Sequence, residues 1–171
     1  MNSSKLLFFI LISSVLSCEN HVPNSEAEST AEDHAIKNFT AQNDNIHKTK
    51  KVYVPVYSNI YQSTRNDRTS LTSTLSIHNT SETDTLFITR IDYHNTEGKL
   101  VKKYLDHPIY LNTFETIEYV VDEKDESGGS GANFVIEWYG DKKLNPLFQA
   151  VMIGGLGSKS FSFTTEGVLF E

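Results

Sequence analysis

The chain has 171 residues, 22% of them charged and 38% hydrophobic, with a net charge of −7 and a single cysteine. That length suits one domain with a single core plus shorter appendages. The acidic balance excludes a nucleic-acid binder, which needs clustered Lys and Arg on one face, and one cysteine excludes an internal disulfide framework.

Residues 1–17 read as an export signal. Lys5 precedes the apolar run Leu6–Val15, and small residues flank the position before Cys18. Ten apolar residues span roughly 15 Å as a helix, about half of the ~30 Å of bilayer hydrocarbon. The run is therefore too short to cross a membrane. Val15-Leu16-Ser17-Cys18 is similar to the lipobox of bacterial lipoproteins, with Leu16 its weakest match. The likeness implies a lipidated Cys18 thiol and cleavage before Cys18, so that the mature chain is held in a lipid bilayer. An ordinary cleaved signal with an incidental cysteine is the competing reading. Glu19, where an Asp would retain a lipoprotein at the inner membrane, directs the expectation to the outer membrane.

Residues 18–50 are rich in Asn, Glu, Ser, Thr and Lys and lack sustained apolar periodicity. They offer little apolar surface to offset ordering entropy, so a disordered tether is expected. Such a tether spans roughly 30 Å r.m.s.. A short frayed helix over 31–41 is the alternative.

Residues 51–171 carry the folded body. Strands are predicted at Val52–Tyr57, Leu71–Ile77, Thr85–Tyr93, Leu100–Tyr104, Ile109–Leu111 and Thr116–Val121. Further strands follow at Phe134–Tyr139, Phe148–Ile153, Lys159–Phe163 and Gly167–Phe170. Leu71, Leu75 and Ile77 alternate with Thr72, Thr74 and Ser76, and Phe134, Ile136 and Trp138 share one face. Turn residues separate nearly every pair. Many short strands with almost no helix signal predict an all-β fold, an immunoglobulin-like antiparallel β-sandwich. Trp138 becomes a core aromatic with no disulfide beneath it. A small closed barrel is the alternative.

The most distinctive segment is 122–133, acidic in front and glycine-rich behind. Its candidate ligand-binding residues are Asp122, Asp125, Ser127, Gly128, Gly129, Ser130, Gly131 and Asn133. The acidic half could hold a cation, but EF-hand spacing is missing. The glycine-rich half could form a nest of backbone N–H groups for an anion. The plainer reading is a long connection in which Gly128, Gly129 and Gly131 take positive φ. A nucleophile elbow is excluded by spacing and context.

His78 and His94 end strands within a repeated His-Asn-Thr. If those strands paired in register, the imidazoles could share a metal, although no H-x-x-x-H spacing supports it. A strand leaving the sheet into a turn explains the repeat equally. Asp92 could pair with His94. Tyr53, Tyr57 and Tyr61 recur near the start of the folded body, Tyr53 and Tyr57 on one strand face; they are read as core aromatics, with an exposed stacking surface as the alternative.

Three blocks, Tyr53–Ser58, Leu75–Thr80 and Asp92-Tyr93, begin a resemblance that covers nearly the whole folded body. Glu97–Val101, Gly128–Phe134, Glu137-Trp138 and Ala150–Gly154 complete it. With these the chain resembles a bacterial lipoprotein family known as domain of unknown function 3124. The resemblance implies an envelope domain with no assigned activity, cofactor or catalytic residue. The residues themselves show no catalytic constellation. The expectation is a non-catalytic, membrane-anchored module that meets an envelope protein or cell-wall component. The alternative is a small-ligand or metal-binding lipoprotein using loop 122–133.

Overall fold

The computed structural model describes residues 48–170. The leader, Cys18, the segment 19–47 and its His21, His34 and His47 lie outside the described residues.

Alternation of apolar and polar side chains sets the strands. They are β1 (Lys50–Val56), β2 (Asn59–Tyr61), β3 (Arg68–His78), β4 (Leu86–His94), β5 (Leu100–Lys103) and β6 (Ile109–Leu111). Then come β7 (Thr116–Val121), β8 (Ala132–Tyr139), β9 (Leu147–Leu156), β10 (Lys159–Glu166) and β11 (Val168–Leu169). One sheet runs β11-β1-β8-β4-β5, with β6 also paired to β4. The other runs β10-β9-β3-β2, with β7 also paired to β3. Every strand pair is antiparallel. The fold is the expected β-sandwich, and the two sheets remain separate rather than closing into a barrel.

The core lies between the sheets in cross-strand rows. Val54, Phe134 and Tyr93 face one another in the first sheet, and Tyr119, Leu75 and Ala150 do so in the second. All six are essentially buried. Burying one large apolar side chain contributes about 1.5–3 kcal/mol, more than the ~1 kcal/mol net of a ladder hydrogen bond. Inward alternation therefore fixes register, because a one-residue slip would turn each row outward. Trp138 is buried as expected and meets Phe148 of the opposite sheet at 5.9 Å between ring centres.

Several expectations are corrected. β1 starts at Lys50, one residue before the expected boundary. β2 is an additional strand; it is three residues long and lies in a polar stretch. Tyr53 is 39% exposed on the outer face, because Val52, Val54 and Val56 are the inward residues of β1. Tyr57 follows the strand end and packs on Phe163 at 6.0 Å.

Asn79 explains the first His-Asn-Thr. Its buried amide Nδ2 reaches the carbonyls of Asp84 (2.7 Å), Leu111 (3.2 Å) and Asn112 (2.9 Å). Its Oδ1 accepts from the Ser81 N–H at 3.0 Å. In the second repeat, Asn95 Oδ1 accepts from the N–H groups of Glu97 (3.0 Å) and Lys99 (2.9 Å). In both places the Asn side chain closes the turn after a strand, as Asx turns do.

Candidate functional site

The connection from β7 to β8 closes one end of the sandwich. Leaving β7, Asp122 accepts at its carbonyl from the Asp125 N–H (2.9 Å), and at Oδ1 from the Lys124 N–H (3.0 Å). Asp125 caps a short 3-10 helix at Glu126–Gly131 by accepting from the Ser127 N–H at 3.0 Å and from its hydroxyl. Glu126 accepts from the Ser70 hydroxyl at 2.8 Å. Asp122, Asp125 and Glu126 are thus engaged in turns and clips. Among the described residues, no three His, Cys, Asp or Glu side chains gather as a metal site would require.

The glycine half turns its carbonyls inward. Gly128 O accepts from both the N–H (2.9 Å) and the hydroxyl (3.0 Å) of Thr96. Gly129 O accepts from the Ser58 N–H at 3.0 Å, while Ser58 O accepts from the Leu71 N–H at 2.8 Å. Ser58 Oγ and Tyr93 Oη lie 2.8 Å apart and are buried. This clasp joins the end of β1, the start of β3, the end of β4 and the loop.

Only Gly129 of the three loop glycines takes positive φ, at +73°. Gly128 is required for a different reason: a Cβ there would fall 1.8 Å from Tyr93 Oη and 2.7 Å from Ser58 Oγ. Gly131 meets neither condition, since a Cβ there would make an ordinary 3.4 Å contact with Thr96. The expectation of positive φ at all three is corrected to one.

Beneath the loop lies an aromatic cluster. Tyr93 and Tyr104 each pack on Phe134, and Tyr104 meets Tyr119 edge-on at 5.0 Å. Burial is the main cause that pushes the Tyr104 phenol up to about 12, with smaller contributions from Tyr93 and the Asp125 carboxylate. Burial also raises Tyr119, and raises Tyr93 against the lowering effect of its bond to Ser58.

Outside the clasp, Ser127–Ser130 line one wall of an open cleft of about 310 Å³. Asn95, Thr96 and Glu97 form a second wall, with Tyr61 and Arg68 opposite. The Arg68 guanidinium lies 4.6 Å from the Tyr61 ring centre. It donates to Tyr61 Oη (3.0 Å) and Asn59 Oδ1 (3.3 Å), so its hydrogen-bond partners are neutral oxygens. Glu97 is paired with Lys99 at 2.7 Å. Of the expected loop residues, Ser127, Gly128, Gly129 and Ser130 reach this cleft. Asp122, Asp125 and Gly131 do not line it, and Asn133 lies in β8, paired with Pro55 and His94.

The histidine pair is not brought together. His78 ends β3 in one sheet and His94 ends β4 in the other. β4 sets out from the end where β3 finishes and runs back, so the two lie roughly a strand's length apart, on the order of 25 Å. His78 Nδ1 bonds the Thr116 hydroxyl at 2.8 Å. Asp92 pairs with Arg90 at 3.4 Å, rather than with His94.

Sequence reasoning overlooked Arg68 and the Ser58–Tyr93 bond, while Tyr61, expected in the core with Tyr53 and Tyr57, is 49% exposed beside Arg68. Ser58 and Tyr93 stand inside blocks that carry the family resemblance, which is the one signal that marked them. Arg68 sits in a polar run with no motif around it.

These features define an all-β sandwich closed at one end by a glycine clasp. Residues 49–169 match the family described as protein of unknown function (DUF3124), and the chain belongs to that family. No curated protein matches it. It is similar to the crystal structure of Thermotoga maritima 1070, with 15% identity and a TM-score of 0.42. That similarity covers 70% of this chain and 92% of the other.

Proposed function

We propose that the protein is a bacterial envelope lipoprotein whose β-sandwich is a non-catalytic binding module carried on a tether. The observation that carries the reading is the position of Cys18. The only cysteine in the chain follows directly on the apolar run Leu6–Val15 and on Val15-Leu16-Ser17. Each buried methylene contributes about 0.8 kcal/mol, and one acyl chain alone holds a protein only marginally. Several chains on one residue make release negligible. The tether lets the module meet an envelope protein or cell-wall component near the membrane, with the outer membrane favoured by Glu19. The non-catalytic character is supported by the clasp, where Asp125 and the Gly128 and Gly129 carbonyls are engaged in closing the fold.

The test is metabolic labelling with palmitate, followed by membrane fractionation. The wild-type chain takes up label and sediments with membranes, and Cys18→Ser loses both properties. A Cys18→Ser chain that stays wholly in the membrane fraction refutes the anchor.

A second reading, a small ligand held at loop 122–133, is favoured by one specific observation. Arg68 stands in the cleft beside Ser127–Ser130 with only neutral oxygens as partners. A cation held in this way by its neighbours suits a carboxylate or phosphate.

A further inference from the structure

The cleft outside the clasp measures about 310 Å³, near the lower end of the ~300–1,000 Å³ of small-ligand sites. One cation and one carboxylate line it, Arg68 and Glu97. Glu97 is paired with Lys99 at 2.7 Å. The acidic neighbours Asp125 and Glu126 do not line the cleft, and bond Ser127 and Ser70 instead. The lining side chains thus carry no net charge, and a bare anion gains from Arg68 alone. A ligand that binds well here must use the uncharged groups too.

Those groups offer donors and acceptors side by side. Asn95 Oδ1 accepts from the N–H groups of Glu97 and Lys99, so its Nδ2 amide is left to donate. The Thr96 and Ser127 hydroxyls donate to Gly128 O and Asp125 Oδ1, so their oxygens are left to accept. Arg68 gives one N–H to Asn59 and one to Tyr61, and its guanidinium fork has further donors. A lining of this kind matches hydroxyl groups, each of which both donates and accepts.

Tyr61 supplies an apolar surface. It ends β2 directly opposite Arg68 of β3. It stays half exposed, although the guanidinium lies 4.6 Å from its ring centre. An exposed phenol ring of this sort, apolar in body and polar at the tip, suits the C–H face of a sugar ring. An aromatic surface, mixed donors and acceptors, and one cation meet in a single cleft.

We propose that this cleft takes a saccharide that carries a carboxylate, an inference that rests on the reading of loop 122–133 as a small-ligand site and names its ligand class. Arg68 holds the carboxylate in a two-point fork, a geometry that the point charge of a lysine does not reproduce. Tyr61 packs on the C–H face of the ring, and Asn95, Thr96 and Ser127 meet its hydroxyls.

The test follows the backbone amides of Thr96 and Ser127–Ser130 by NMR in the full chain carrying Cys18→Ser. The probes are glucuronate, glucose and inorganic phosphate. Glucuronate should shift these amides saturably, with a Kd roughly tenfold below those of glucose and phosphate. Arg68→Ala should reduce glucuronate to the level of glucose. Tyr61→Ala should weaken glucose and glucuronate alike, by roughly tenfold. Both side chains are exposed, so both variants should keep the wild-type circular dichroism spectrum. Phosphate that shifts these amides while glucuronate binds no tighter overturns the saccharide and leaves the small-ligand reading standing. No shift with any of the three probes removes both. Glucose that binds as tightly as glucuronate, or a glucuronate Kd unmoved by Tyr61→Ala, also overturns the proposal.

Discussion

Gly128→Ala is the sharpest test of the clasp. The added methyl would stand 1.8 Å from Tyr93 Oη and 2.7 Å from Tyr93 Cζ and Ser58 Oγ. Ordinary contact between heavy atoms lies near 3.5–4.0 Å, so Tyr93 must retreat by about 1.5 Å or the loop must lift. Tyr93 is 1% exposed and packs on Phe134 at 5.0 Å, which leaves its ring little room. Overpacking of this kind costs about 1–3 kcal/mol. Breaking the buried Ser58–Tyr93 bond adds about 1–2 kcal/mol. The sum, about 2–5 kcal/mol, is a large share of the 5–15 kcal/mol that holds a typical domain. For a body of this size it lowers the Tm by on the order of 10–20 °C. Thermal melts followed by circular dichroism read this directly. Gly131→Ala is the control, because its Cβ meets Thr96 at an ordinary 3.4 Å and its φ is not positive. It should melt within a few degrees of the wild type. Tyr93→Phe removes the atom nearest to the new methyl, so Gly128→Ala and Tyr93→Phe together should cost less than the sum of the two. A Gly128→Ala protein that melts with the wild type refutes the close-packed clasp.

Two further predictions concern the tyrosine cluster and the cleft. The Tyr104 phenol is raised from about 10 when unfolded to about 12 when folded, and its neighbours Tyr93 and Tyr119 are raised as well. Their stabilisation is fully present below pH 10 and lost as pH climbs through the folded values. Phenolate absorbance from Tyr104 should therefore appear only as pH approaches about 12, with Tyr93 and Tyr119 also ionising later than free tyrosine, together with loss of the fold; ionisation of Tyr104 near pH 10 in a folded protein contradicts the burial. In the cleft, inorganic phosphate should cause saturable NMR shifts in the amides of Ser127–Ser130. Arg68→Ala should abolish them with stability held within ~0.5 kcal/mol; no saturable shift in the wild type removes the small-ligand reading.

Much of the fold was legible in the sequence, and the parts that were not share a cause. Period-two alternation marked β3, β7 and β8, because one face of each is buried against the opposite sheet. β2 escaped because it is three residues long, and only its polar first residue, Asn59, is buried. Tyr53 was misplaced for a related reason. Tyr and Val suit strands equally, and only the pairing of Val52, Val54 and Val56 across β8 decides which set turns inward. His78 and His94 looked like a pair because their local sequence repeats. Local repetition reports a shared way of ending a strand, not a shared place in space, and the strand order put them in different sheets. Arg68 carried no periodic or spacing signal. Its role in the cleft comes from contacts with Asn59, Tyr61 and the distant loop, which only the tertiary fold creates.

The glycine-rich segment shows how a motif can be distinctive without being chemical. In the sequence, Ser127–Gly131 invited comparison with anion nests. In the fold, the Gly128 and Gly129 carbonyls are taken by Thr96 and Ser58, and the absent Cβ of Gly128 is what lets Tyr93 close beneath it. Ser58, Tyr93 and Gly128 come from separate parts of the chain, yet they meet at one point. Each is needed there for packing: the hydroxyls satisfy each other in a buried place, and the glycine makes room for them. In this chain the three parts therefore meet to close the sandwich, and the cleft wall at Arg68 lies outside that contact, where side chains can change without disturbing the clasp.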